Sequence, residues 1–359
     1  MKTMTHRFPF LLFCLLAVFV CTVSCKKDKP DPEDEVPFEE EYAGLKVHFI
    51  GAVLKDKDPV GARPAHWYNG KLSYLAGAEK GGVASDIMMQ GQDVYIGGFE
   101  GAVGEMDTYR KPVLWTNGKQ SYVGNQDNAV VSQLYVTSGK DVYAYGTRYY
   151  NQTTGIWKNG QDYPLELKPG RFASISQLTG HNNDFYVVGN LASSTIWKNG
   201  KILMERDYGR FFLNVYPVQQ DLYTFEASHT NRDPKLPYIW IYKNNKVHQS
   251  IIQDKIPWWK VRNVRTFMEG TTTYVAVCFN GEENGLASIL VWKDGKLIQE
   301  FQDKLLDLQA IFAKNGKLFV IADYRDDQVQ YSKCWMDGKE LPFQQDGAER
   351  FYITQLWVE

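Results

Sequence analysis

An all-β ring of repeated four-stranded sheets is predicted by three observations in the 359-residue sequence. First, the phrase Ile156-Trp157-Lys158-Asn159-Gly160 recurs. It returns at Trp67, Trp115, Trp197, Tyr242, Trp292 and Trp335, giving seven copies 40 to 50 residues apart. Second, each period has room for four short strands and shows no long helical periodicity with caps. Third, the two ends of the chain carry complementary parts of one unit. A period of this size marks an array of identical units, and four short antiparallel strands per unit make a propeller blade. The prediction is a seven-bladed β-propeller whose C-terminal strand closes the N-terminal blade.

At the N-terminus, Lys2 and Arg7 precede an apolar run from Phe8 to Val23. This is the charged-then-apolar layout of a secretory signal, and it is short for a membrane span. The run ends in Thr22-Val23-Ser24-Cys25, which resembles a bacterial lipobox. The resemblance implies that residues 1–24 are a lipoprotein signal peptide and that Cys25 carries a lipid, making the membrane a partner. Residues 25–43 include Lys26-Lys27-Asp28-Lys29-Pro30-Asp31-Pro32-Glu33-Asp34-Glu35 and Glu39-Glu40-Glu41. Such a segment buries too little apolar surface to offset the entropy of ordering, so a flexible tether is predicted. The lysine-then-acidic tract behind the cysteine resembles the export signals of Bacteroidetes-type surface lipoproteins. That implies an outer-membrane lipoprotein displayed at the surface; a spacer on the periplasmic side is the alternative.

Without residues 1–24, 38 Lys and Arg stand against 42 Asp and Glu, a formal net charge of −4. No broad positive field is available to hold a nucleic-acid backbone. Cys14 and Cys21 leave with the signal, and Cys278 and Cys334 remain inside predicted strands. Export permits a disulfide between them, but buried thiols are the simpler expectation. Residues 44–359 form one domain, because an array closes into one body, and a monomeric ring is expected.

The unit from Val131 to Leu167 shows the grammar of a blade. Val131–Val136 is a first strand, Ser138-Gly139-Lys140-Asp141 a turn, and Val142–Gly146 a second strand. Ile156-Trp157 belongs to the third, Asn159-Gly160 is a tight turn, and Tyr163–Leu167 is expected as the fourth. A two-residue hairpin turn needs positive φ at both central residues, which Asn-Gly and Asp-Gly supply. The tryptophan then packs between blades, and the lysine after the turn is a solvated strand edge. Second strands recur at Asp93–Gly97, Asp184–Gly189, Asp221–Tyr223, Tyr274–Val277 and Lys317–Val320. Leu45–Ile50 matches a second strand with no first strand before it, and Phe351–Val358 matches a first strand. Joining them leaves no open edge. The architecture resembles kelch-like propellers, although the kelch double glycine occurs once, at Gly97-Gly98.

With first strands innermost, the short turns between strands 1 and 2 and between strands 3 and 4 share one face. The variable connections share the other: Glu100–Tyr109, Thr147–Thr154, His229–Leu236, Gly281–Gly285 and Asp323–Tyr331. Function tends to sit on loops held by a rigid scaffold, so this second face is the expected site. Leading into the inner strands there are Arg171-Phe172, Arg210-Phe211, Arg350-Phe351 and Trp258-Trp259. Aromatics beside arginines suit a sugar or peptide; packing between blades and pairing with acids is the competing role. Aligned inner strands also place Gln355, Asp86, Gln133, Gln177, Asn214, Arg265 and Gln309 at nearly one level, in blade order. That ring either lines a ligand site or bonds channel water and backbone, since buried polar groups need partners.

Asp323–Asp327 brings oxygen ligands but lacks the glycine and spaced carboxylates of a calcium loop, and a solvated loop is expected there. The histidines show no metal-ligand spacing, and no nucleophile elbow or phosphate-cradling loop occurs. No metal or cofactor is expected. The leading expectation is a binding or scaffold module for a glycan, peptide or partner protein, tethered at the outer membrane. The rival is an extracytoplasmic polysaccharide hydrolase or lyase, drawing a carboxylate pair from Glu100, Glu105, Glu226, Asp323 and Asp326.

Overall fold

In the computed structural model, the described residues are 44–359 except 56–59, 103–109, 125–127, 149–152, 168–173, 191–192, 207–208, 229–237, 252–259, 281–285, 305, 327–328 and 342–348. The expectations for residues 1–43, including Cys25, lie outside them, as do Arg171, Trp258, Trp259 and Glu105.

The chain forms seven four-stranded antiparallel sheets, each a blade of a β-propeller. The inner strands, from blade one to blade seven, are Glu349–Val358, Gly82–Gln90, Ala129–Val136, Ser174–His181, Arg210–Val218, Val261–Glu269 and Leu306–Lys314. Blade one is closed as expected. Its inner strand comes from the C-terminus and pairs with Val47–Lys55 from Val47↔Val358 to Lys55↔Glu349. Around that seam Lys46 Nζ reaches Glu359 Oε2 at 3.3 Å.

The repeated phrase is structural. Its turn residues have positive φ in every blade, from Asn69 at 47° and Gly70 at 76° to Asp337 at 51° and Gly338 at 87°. Asn244-Asn245 achieves the same with 50° and 64°. The Asn or Asp side chain also accepts the N–H that opens the second strand, as Asn159 Oδ1 does from Val142 at 2.9 Å and Asp337 Oδ1 from Leu318 at 2.9 Å. These bonds tie the two short turns of a blade together on one face. The lysine before the turn is spent locally too: Lys158 pairs with Asp141 at 2.8 Å and lies over the Tyr143 ring.

Trp115, Trp157 and Trp197 are almost completely buried. Trp115 Nε1 donates to Ala76 O at 2.9 Å, and Trp197 Nε1 to Glu166 O at 2.8 Å. Ala76 and Glu166 each follow the outer strand of the preceding blade. This corrects one expectation. The outer strand of blade three is Gln161–Tyr163, not Tyr163–Leu167. Pro164 has no N–H for a ladder, and the chain turns away to cap the next blade, where Glu166 N donates to Gly200 O at 2.7 Å.

The apolar core lies in the clefts between blades. One cluster joins Tyr223, Phe225 and Ile241 of blade five to Val275, Val277 and Leu290 of blade six. Another joins Tyr274 and Ile289 of blade six to Leu308, Ile311 and Val320 of blade seven. Cys278 and Cys334 are buried free thiols, and burial pushes both thiols upward in pKa. In the double glycine, a Cβ on Gly98 would lie 2.1 Å from Val83 O, while one on Gly97 would lie 2.6 Å from Val131 of the next blade. Both glycines therefore serve close packing.

The predicted loop Asp323–Tyr331 is largely strand. Lys317–Asp326 and Val329–Met336 pair as far as Asp326↔Val329. Asp323 is completely buried, not solvated, and accepts from Ser332 Oγ at 2.9 Å and Gln309 Nε2 at 2.6 Å. The hairpin extends because the two strands keep register past the blade body, which turns Asp323 inward.

Candidate functional site

An inner strand has a sheet neighbour on one side only, so backbone donors on its free edge face the axis. Each of the seven inner strands also carries a β-bulge. The extra residues are Thr354, Ser85, Ser132, Ser176, Leu213, Arg262 and Gln309. A bulge re-aims the residues beside it. Side chains flanking these bulges line an axial cavity of about 710 Å³. That lies within the range of small-molecule sites.

The predicted polar ring is brought together there: Gln355, Asp86, Gln133, Gln177, Asn214, Arg265 and Gln309 all line the cavity. The bulges refine the alignment. The residue after the bulge is Asn263 in blade six and Ala310 in blade seven, so Arg265 stands two residues further along and Gln309 is itself the extra residue. Blade six has two more residues than blade two between bulge and turn. Counting from the turn therefore leads to Arg265, and counting from the bulge leads to Asn263.

Much of this ring serves the fold. Asp86 Oδ2 accepts from Leu134 N in the next blade at 2.7 Å, and Gln133 Oε1 accepts from Leu178 N in the following one at 2.8 Å. Asn214 Oδ1 accepts from Val215 N at 2.8 Å, and its amide donates to the Tyr216 hydroxyl at 2.7 Å. Gln355 Oε1 accepts from Leu356 N at 3.1 Å. Burial raises the Asp86 carboxyl to about 7, against the pull of its Leu134, Ile87 and Gln355 hydrogen bonds. The side chain of Gln177 has no hydrogen bond among the described residues.

Arg265 differs from the rest. Its Nε donates to Gln309 O at 2.6 Å and its Nη1 to Val264 O at 3.3 Å. It makes no ion pair among the described residues. Desolvation lowers its pKa from the usual arginine value, a direction that leaves a guanidinium charged.

Beside the polar ring lies an aromatic arc that the sequence reading missed. Tyr216, Phe267, Phe312 and Trp357 line the cavity from four consecutive blades. Their ring centroids are 6.5 Å apart from Tyr216 to Phe267, 4.6 Å from Phe267 to Phe312 and 5.9 Å from Phe312 to Trp357. The signal was available. Strand side chains alternate with period two, and Trp357, Tyr216 and Phe267 each lie two residues beyond a polar ring member. Burial raises the Tyr145 phenol on the same wall to about 12, and its hydroxyl donates to Ser176 O at 3.2 Å.

The other described candidates, Arg210 and Arg350, are not among the residues lining the cavity. Arg210 donates from Nη1 to the Tyr242 hydroxyl at 2.9 Å and covers the Trp240 ring at 4.8 Å. Arg350 belongs to the closing strand, in register with Leu54. Of the carboxylates named for hydrolysis, the described side chains of Glu100, Glu226 and Asp323 are each held by separate partners, and Glu105 and the Asp326 side chain lie outside the described set. Glu100 is held by Gln120 Nε2 at 2.7 Å and by Lys80, and Glu226 by Arg206 at 2.9 Å, each within its own region of the ring. Of the described residues lining the cavity, Asp86 alone carries a carboxylate. Among the described residues, no three His, Cys, Asp or Glu side chains are grouped to hold a metal ion, and no helix is long and apolar enough to cross a membrane.

No protein-family model matches the chain, and no curated protein matches it. Solved structures are similar in fold at low identity. The computationally designed Ika8 protein aligns at 15% identity and a TM-score of 0.45, covering 77% of this chain and 78% of that one. The Cps50 (Swd1) β-propeller domain of Myceliophteria thermophila aligns at 12% identity and a TM-score of 0.45, covering 80% and 96%. A prolyl endopeptidase aligns at 11% identity and a TM-score of 0.49, covering 90% of this chain and 51% of that one.

Proposed function

We propose that this propeller is a non-catalytic binding module that takes a small polar ligand in its axial cavity. The observation that carries the reading is the cavity itself: about 710 Å³, with a polar side chain contributed by every blade. Such a site combines apolar contact area with a few placed hydrogen-bonding groups, as small-molecule sites do. A glycan terminus or a peptide fits that description. The hydrolase reading is not favoured, because glycoside hydrolysis ordinarily needs two carboxylates at defined separation and the described residues of the cavity wall offer Asp86 alone.

The module is placed at the outer membrane by lipid on Cys25. This rests on the charged-apolar start of the chain and on Thr22-Val23-Ser24-Cys25. Cys25→Ser should abolish incorporation of labelled fatty acid and release the protein from the membrane fraction. For the cavity, a glycan and peptide binding screen on the purified chain is paired with Ser132→Trp, which fills the cavity from its wall. A hit lost in S132W at unchanged Tm supports the axial site. A hit that S132W leaves intact moves the site elsewhere, and turnover of a polysaccharide would sink the binding-module reading.

A further inference from the structure

Among the described residues of the cavity wall, Arg265 is the single cation. Its guanidinium is anchored at Nε and Nη1 by the carbonyls of Gln309 and Val264, which fixes its plane and leaves three N–H donors unspent. The nearby carboxylates are committed elsewhere. Asp307 accepts from Asn263 Nδ2 at 2.6 Å and lies 3.7 Å from Arg262, while Asp86 accepts from Leu134 N in blade three. The side chain stays exposed toward the cavity, so its free donors face solvent that a ligand can displace. A planar fork with free donors matches a carboxylate in two parallel hydrogen bonds.

The surroundings of Arg265 add a second requirement. Phe267 follows two residues later on the same strand and points to the same side. Its ring continues into Phe312 on one side and Tyr216 on the other. A ligand carboxylate on the Arg265 fork therefore places the rest of the molecule next to an aromatic surface. Aromatic faces take flat or cyclic apolar surfaces by stacking.

We infer that the axial cavity binds a carboxylate-bearing ring, with the carboxylate on Arg265 and the ring against Phe267, Phe312 and Tyr216. This deepens, and rests on, the reading of the cavity as the ligand site. Two sources share this chemistry, a uronic acid sugar and an aryl carboxylic acid.

The test measures binding to the purified full chain by calorimetry, with two matched pairs as probes. Galacturonic acid is compared with galactose, and phenylacetate with phenylacetamide. At least one acid should bind ten-fold or more tighter than its neutral partner, and the tighter acid identifies the source. R265Q should erase that ten-fold preference while leaving the neutral partner unchanged, and R265K should restore part of it. F267A should weaken acid and neutral forms alike. Each variant's Tm is compared with the parent, so that misfolding is separated from lost recognition. Equal affinity for acid and neutral forms, R265Q without effect, or no binding of any probe overturns the proposal. In those cases, a neutral ligand found crystallographically in the cavity would leave the axial-site reading standing, whereas a ligand found elsewhere would remove both.

Discussion

Each blade ends in a hairpin whose first turn residue is Asn or Asp at a φ between 47° and 51°. Along the axis, the corresponding level carries Gln, Asp, Gln, Gln, Asn, Arg and Gln in blades one to seven. The hairpins repeat because each solves the same problem: positive φ, an N–H to satisfy, and an aromatic side chain to bury, tryptophan in six blades and Tyr242 in blade five. The axial positions diverge in what is left after a neighbour's backbone is served. Asp86 and Gln133 spend an oxygen on an N–H of the next blade, whereas Arg265 donates one N–H to Gln309 O of the next blade and keeps a charge and free donors toward the cavity. Repetition therefore marks the structural load, and departure from it marks the candidate chemistry.

The largest test of that contrast is at the seam. Deleting 351–359 removes most of an inner strand that is paired along its length with Val47–Lys55 and buries Ile353, Leu356 and Val358. Loss of a cooperative thermal transition is expected, and a truncated chain that melts like the parent would break the closed-ring account. Next, Trp197→Ala should cost about 3–5 kcal/mol by denaturant titration, since it empties a fully buried site and leaves Glu166 O without its donor.

Asp86→Asn tests the axis by pH. The carboxyl titrates near 3.8 unfolded and at about 7 in the ring. Between those values the folded state holds the extra proton, so this group's contribution to stability falls as pH rises through that window. D86N removes the penalty and should gain on the parent between pH 4 and pH 7, then stay level above it. The gain is on the order of 2–3 kcal/mol, read from paired denaturation curves at pH 5 and pH 8. A pH-independent difference would mean that the carboxyl is not desolvated.

Two smaller effects sharpen the comparison. Asn159→Ala should cost about 1–2 kcal/mol, through strain at φ 49° and the lost bond to Val142 N, while N159G should cost less. Gln133→Ala frees the Leu178 N–H and should cost about 1 kcal/mol. Gln177→Ala removes no hydrogen bond found among the described residues and should stay within about 0.5 kcal/mol. If Q177A cost more than Q133A, the division between serving and spare axial positions would be wrong.

Much of this architecture was legible in advance, for local reasons. Asn-Gly and Asp-Gly turns act through their own dihedrals, and strand alternation acts through neighbours two residues away. The blade count, the closing strand and the axial level of Gln133 or Gln355 could be read from those alone. The hairpin at Asp323 and the short outer strand ending at Tyr163 could not. Each depends on what a neighbouring element offers, Ser332 and Gln309 in one case and the turn at Gly200 in the other.

By itself, then, the sequence determined the number of blades, the register of their hairpins and the way the ends join, because turn chemistry and periodicity repeat in every unit. Tertiary structure alone decided where the bulges fall, which polar side chains are spent on a neighbour's backbone, and that Arg265 and the Tyr216–Trp357 arc share one cavity. Period-two alternation puts each arc residue on the same side of its strand as a polar ring member, but which groups meet across the ring depends on distances between blades far apart in the chain.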